Sequence, residues 1–352
     1  MGLPQIIIEF SEAQSNFVYR LGRGMVAVAF VNAAFPEAVV VNASAKSDVD
    51  TATASLDKTM KATVAAEMTR ALEAGAAKVM AVCGKDVASV ESALSARRFN
   101  YLAIGNLLDS DQTSVVAWAK EKGFACGRNF IVVGNQGLAA SPEAHVVALD
   151  NVNLTASGMT TAMLAGLLAG LSDESGTYYV LDTETDGTGY ATREQADADV
   201  DKGVVTVFFD GEKAKLSRAV TTLYKTEPKS ALAKIRNVDA MNMIKDDIKD
   251  AFENQYVGKV LNSYDNKMAL VALINSTYLA GLSGSVLHPD YDNNVDVNVA
   301  KHAELAKQEG KDVSDMTEMA LRKYDTGAAV YLSGSVRFLD TMEDLTIDFV
   351  IE

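Results

Sequence analysis

The chain has 352 residues, long enough for two domains, and its 48% apolar and 22% charged residues are the proportions of an ordinary globular protein. A net charge of −15 argues against a nucleic-acid binder, whose affinity rests on Lys and Arg meeting phosphates. The longest apolar candidate, 163–171, is Gly-interrupted and far short of the roughly 20 residues a membrane span needs.

Residues 5–10 read Gln-Ile-Ile-Ile-Glu-Phe, a predicted strand in which Ile6, Ile7, Ile8 and Phe10 have no evident partner. No basic region followed by an apolar stretch precedes them, so no secretory signal is expected and the chain should start out in the cytoplasm. A polar stretch, 11–24, leads to a buried-type strand at 25–31. The pattern then alternates: a helix over about 53–74, a strand at 78–83, a helix near 87–96 and a strand at 100–105. A helix over about 112–122, capped by Asp109, Ser110 or Asp111, precedes strands at 129–133 and 146–149 and a helix at 159–171. Short apolar strands alternating with helices predict a parallel or mixed sheet covered on both faces.

From 202 the texture changes. Two β-rich runs around Asp210-Gly211 signal a hairpin. A long helix carries Met241, Ile244, Ile248, Ala251, Phe252 and Gln255 at helical spacing. A further helix covers about 267–282, an extended piece 295–299, and a charged helix runs to about Gly310. The last strands are 328–339 and 345–351, the latter alternating Leu345, Ile347, Phe349 and Ile351 at the chain's end. Fold class is therefore an α/β N-terminal domain (23–210) plus an α+β C-terminal domain (211–340). Extended strand arms, 1–22 and 341–352, flank them. Apolar strands at both termini either pair with each other or are lent to neighbours, because an unpaired edge is something proteins hide.

Chemistry-bearing motifs are missing. The three histidines, His145, His288 and His302, adjoin no nucleophile signature. There is no H-E-x-x-H or C-x-x-C, hence no metal site, and neither phosphate-loop spacing follows a strand, hence no cofactor. Cys83 closes an apolar run and reads as a core residue, while Cys126 lies in a Gly-flanked segment; two distant cysteines make no disulfide framework. Nine carboxylates between Asp173 and Asp201 face only Arg193, which reads as a solvated surface, since calcium-loop spacing is absent. Gly166 and Gly170, four apart on an apolar helix, fit a tightly packed core helix or a close helix pair.

A resemblance enters through several motifs in order. Residues 234–244 (Lys-Ile-Arg-Asn-Val-Asp-Ala-Met-Asn-Met-Ile), Tyr256 to Val260, Ser263 to Lys267 and Thr326 to Leu332 resemble the contractile tail sheath proteins of myophages. So does Asp340-Thr341-Met342-Glu343-Asp344-Leu345, where that family has Ala at the second position. Residues 165–170 ahead of Thr177-Tyr178 and the Met1-Gly2-Leu3-Pro4 start are also similar. The family includes R-type bacteriocins and extracellular contractile injection systems.

The resemblance implies stacked hexameric rings of this chain around an inner tail tube protein, capped by baseplate and tail terminator proteins. It also implies that each terminal arm adds a strand to a neighbour's sheet. Links at 11–22 and 340–344, the latter with Asp340, Met342, Glu343 and Asp344 as hinge, would absorb rotation of the bodies on contraction. Assembly would take place in the bacterial cytoplasm, with the mature chain in a virion tail or extracellular particle. Lys229, Lys234, Arg236, Lys245 and Lys249 are candidates to face the tube, or else are solvent charges paired with Asp246, Asp247 and Asp250. An α/β-domain enzyme or nucleotide-binding protein without a recognisable motif is the alternative.

Overall fold

The structure, a computed structural model, describes residues 24–35, 37–123, 129–150, 157–171, 174–181 and 185–350. The chain divides into two compact units. One comprises Gly22–Asp246, Gly284–His288 and Phe338–Glu352; the other includes Asp247–Ser283 and Pro289–Arg337.

The larger unit is built on seven strands: β1 (Met25–Val31), β2 (Val39–Ala43), β3 (Lys78–Gly84), β4 (Tyr101–Ala103), β5 (Ile131–Asn135), β6 (Val146–Leu149) and β7 (Val204–Val205). They lie in the order β2-β3-β1-β4-β5-β6-β7. All neighbours run parallel except β2, which pairs antiparallel with β3. The predicted covering of both faces is what the side chains show. Val26, Val28, Phe30, Val79, Ala81 and Ala103 turn into one core, while Ala27, Ala29, Met80, Val82, Leu102 and Ile104 turn into another. That alternation is why the strands read as continuous apolar runs.

Among the described residues, six helices belong to this sheet: α1 (Lys46–Ala52), α2 (Lys58–Ala74), α3 (Val87–Ser95), α4 (Asp109–Trp118), α5 (Thr161–Gly170) and α6 (Arg193–Asp201). Asp57 starts α2 by accepting from the Thr59 N–H at 2.9 Å, and Asp86 starts α3 by accepting from Ser89 N–H at 2.8 Å. The expected side-chain cap of α4 is corrected: its N-cap is Leu108, and Asp109 and Asp111 sit in the first turn, where negative charge suits the helix dipole. The acidic run also holds an unforeseen helix, α6, which buries Ala196 and Val200 and turns its carboxylates outward. Burial pushes the Cys83 thiol up to about 12, as befits a core residue. Cys126 lies outside the described residues.

Two further strands, β8 (Val207–Phe209) and β9 (Ala214–Leu216), form the hairpin expected around Asp210-Gly211, shorter than read from the sequence. The helix α7 (Ile235–Gln255) follows. Val207, Leu216, Ile235 and Val238 all enter the core that also takes Val26 and Val79. For this reason the compact larger unit continues past the expected 210/211 border to Asp246. Composition changed at 210, but burial did not.

The smaller unit holds α8 (Tyr264–Leu273), which runs on as a wider turn over Ile274–Leu279, then β10 (Asn294–Val297), α9 (Val299–Gln308), α10 (Glu318–Arg322) and β11 (Leu332–Ser335). β10 and β11 pair antiparallel as a two-stranded sheet. The expected strand over 328–339 thus narrows to four residues. The expected strand over 345–351 forms no ladder within the chain: residues 345–350 pair with nothing regular, and Ile351 lies outside the described residues. Ile6, Ile7, Ile8 and Phe10, with the whole segment 1–22, also lie outside them.

Candidate functional site at the root of the C-terminal arm

Residues 338–344 run along the larger unit and are held there by side chains from three places in the sequence. Phe338 bridges to Leu287, and the Leu339 N–H donates to the Val286 carbonyl at 2.9 Å. At the start of α7, Ile235 and Val238 point into the core, so their neighbours Lys234 and Arg236 turn the other way. Arg236 donates to the carbonyls of Leu339 (2.5 Å) and Ser285 (2.8 Å). Lys234 pairs with Asp340 at 3.0 Å, and the buried Asn237 amide donates to the same carboxylate at 3.1 Å. Burial pushes the Asp340 carboxyl up, but Asn237 and Lys234 outweigh it and hold it below the ordinary aspartate value.

Beyond β9 stands Arg218. Its guanidinium forks to Glu343 at 3.4 Å and to Asp344. Burial works against the Arg218 charge, yet the bond to Asp344 prevails and raises its basicity. Thr177 completes the grip. Its hydroxyl accepts from the Ala219 N–H at 3.2 Å and donates to Glu343 at 3.1 Å. The next residue, Tyr178, has φ 57, a left-handed conformation rare for an aromatic residue. Thr341 adds a bond to Glu343 at 3.3 Å. The Glu343 side chain is only 9% exposed, whereas that of Asp344 is 77% exposed and marks the edge of the grip.

Past that edge the chain is bare. Leu345 is 84% and Phe349 85% exposed, with Ile347 and Val350 also exposed, and Met342 projects fully from the held segment. A row of large apolar side chains on an unpaired extended segment is an unfinished strand. The four hinge candidates are therefore brought together, but as a held segment: Asp340, Glu343 and Asp344 are bonded, and Met342 alone is free of the surface.

The five tube-facing candidates differ in their local settings. Lys234 and Arg236 belong to the arm root. Lys229 is exposed on the loop before α7, and Lys245 and Lys249 are exposed one turn apart on that helix. Lys249 lies 4.0 Å from Glu253, an exposed pair of small worth. Asp246 instead accepts from Asn129 at 2.5 Å and Asp247 from the Tyr278 hydroxyl at 2.9 Å. Of the two grips on Glu343, Thr177 entered the sequence reading only through the resemblance and Arg218 was not singled out; an Arg inside a β-rich run carries no local signal of a partner 125 residues away.

A second polar knot ties the smaller unit. The Asn262 amide donates to the carbonyls of Gly327 (2.7 Å) and Ala329 (3.0 Å) and to the Thr326 hydroxyl (3.2 Å). The Lys267 ammonium, almost wholly buried, reaches the same hydroxyl at 3.1 Å, and burial lowers its pKa. Asn275 meets both the N–H and the C=O of Val295 at 2.9 Å, covering the outer edge of β10 at that residue. The outer edge of β11 is unpaired among the described residues.

No group of three or more His, Cys, Asp or Glu able to hold a metal occurs among the described residues, and no helix among them is long and apolar enough to cross a membrane. Above the ends of β4 and β5, where an open α/β sheet would seat a ligand, the N-terminus of α5 closes in. A Cβ on Gly105 would lie 2.5 Å from Thr161 and 2.9 Å from Asn135.

Residues 227–352, which hold most of the arm root, match the family described as Phage tail sheath C-terminal domain. The chain is also 27% identical over 262 residues to the tail sheath protein of Clostridium phage phiCD119, covering 72% of each. Its fold is that of a sheath tail protein from Desulfitobacterium hafniense (TM-score 0.64, 16% identity, 84% of this chain and 94% of that one). One from Listeria innocua is similar too (TM-score 0.61, 14% identity, 78% and 89%). A chain of the anti-feeding prophage baseplate in its contracted state matches over 99% of this chain and 98% of its own length, with TM-score 0.58 and 11% identity. The resemblance read from 234–244 and 340–345 holds: the chain is similar to contractile tail sheath proteins. The matched family and the curated relative are structural tail sheath proteins, not enzymes, and the enzyme alternative is set aside.

Proposed function

We propose that the chain is the structural subunit of a contractile tail sheath, in a phage tail or a related injection particle. It polymerises as stacked hexameric rings around an inner tube protein, between baseplate and terminator, and shortens to drive the tube into a target envelope. It assembles in the bacterial cytoplasm without nucleic acid, cofactor or membrane insertion. The observation that carries this reading is the bare, alternating segment 345–350 leaving a firmly held root. A donated strand offers main-chain hydrogen bonds for linkage and alternate side chains for register. The two-stranded sheet of β10 and β11 suits the role of acceptor, because a pair of strands is marginal alone and β11 has an unused edge. The Asn275 side chain, bonded to Val295 on the outer edge of β10, favours addition at β11. Lys229, Lys245 and Lys249 remain the cations available to the tube.

Electron microscopy of the purified chain tests this directly. The full-length protein should form hollow striated tubes, and a version ending at Asp344 should remain a folded monomer. Tubes from the truncated chain would remove strand donation at this end.

A further inference from the structure

We infer that Arg218 is a positioning residue that fixes where the donated C-terminal strand begins, and so how far it reaches. This rests on the strand-donation reading above. Free movement over 340–344 is what a hinge there requires, yet these residues are bonded. Arg236 holds Leu339, Lys234 and Asn237 hold Asp340, and Arg218 with Thr177 holds Glu343 and Asp344. The first unheld residue is Leu345.

The consequence is one of length. With the grip closed, the chain leaves the held segment at Leu345. Opening the grip of Arg218 and Thr177 leaves Asp340 held and adds residues 341–344 to the tether, four residues and about 13 Å. The effective concentration of a tethered strand falls as its tether lengthens beyond the span it must bridge, so the added residues weaken each linkage. The shorter tether also restricts where the neighbour's acceptor edge can lie. Pivoting then occurs at the Asp344–Leu345 junction, and the 340–344 segment moves with the body that holds it.

Specificity comes from the fork. The guanidinium reaches two successive carboxylates at once, which a lysine ammonium matches poorly. Glu343 is the deeper anchor and Asp344 the exposed one.

The full chain is compared with Arg218→Ala, Arg218→Lys and Asp344→Asn, the last changing an exposed group so that folding is preserved. Arg218→Ala should leave the thermal midpoint nearly unchanged and speed amide exchange over 341–344 in the unassembled chain. It should raise the critical concentration for tube formation and broaden the spread of helical repeats. Asp344→Asn should shift both readouts in the same direction by less, and Arg218→Lys should recover part of each. Unchanged exchange over 341–344 in Arg218→Ala and Asp344→Asn would overturn the inference. So would faster exchange with an unaltered critical concentration and repeat. If the chain ending at Asp344 still made tubes, strand donation itself would fall, and that outcome is separate because the exchange measurement needs no assembly.

Discussion

Gly166 and Gly170 show how little room single residues have in the larger unit. A Cβ on Gly166 would stand 2.2 Å from the Ala71 carbonyl oxygen, and one on Gly170 would stand 2.7 Å from that of Gly75. The small-residue pair is therefore a place where α5 and α2 touch backbone to backbone, a close helix pair inside one chain's core. Gly166→Ala gains helix propensity of about 1 kcal/mol but must push the two helices apart, and overpacking of that kind costs about 1–3 kcal/mol or more. The expected outcome is a lower denaturant midpoint. Gly281→Ala is the control, since nothing lies within 4 Å of its added Cβ. Equal midpoints for the two variants would show that α5 and α2 have slack that this packing does not offer.

Among elements, the arm root is one whose stability depends on charge. Asp340 is held below its ordinary pKa, so its contribution is fully present above about pH 4 and is lost as the pH falls through the folded value. Arg218 keeps its charge throughout. Acid should therefore loosen 338–344 before it unfolds the sheet, whose seven strands are stitched by apolar side chains. Digestion with an acid protease, comparing pH 5 with pH 3, should release the C-terminal peptide far faster at pH 3 while the body stays intact. Equal release at the two pH values would show that the grip does not rest on Asp340. The same element explains the family motifs physically. Lys234, Arg236 and Asn237 lie in one stretch that carried the resemblance and Asp340, Glu343 and Asp344 in another, and the fold sets the two together as cations and anions. Asn262 and Lys267 meet Thr326 in the same way.

For the whole molecule, both termini carry the argument for assembly. A chain lacking residues 1–10 should fold, with an unchanged circular dichroism spectrum, and fail to sediment as polymer at concentrations where the full chain does. Polymer from that deletion would mean that the N-terminal strand is not a required linkage. Division into units at Asp246 and Asp247 rather than at 210 places the hairpin β8–β9 and the first half of α7 with the large sheet. Arg218, just past β9, then belongs to the same body as the arm it grips.

Much of this was legible in the order of residues. β1, β3, β6, α3 and most of α5 fall where apolar periodicity predicts them, because strands buried on both faces leave a continuous apolar run and helices leave a stripe. β2 and α6 were missed: one is a short edge strand with an exposed Asn42, the other hides two apolar residues inside an acidic run. Charge in the arm root could be read, but its use could not. Asp340 to Asp344 look from the sequence like a soluble link, and only the three-dimensional path of the chain brings Arg218 and Lys234 within bonding distance. The sequence by itself determined the layered α/β body, the resemblance to sheath proteins and the apolar segments 5–10 and 345–351, since those rest on local periodicity and contiguous motifs. Tertiary structure alone decided which charges pair and where the arm comes free, since an ion pair between residues a hundred apart leaves no trace in either neighbourhood.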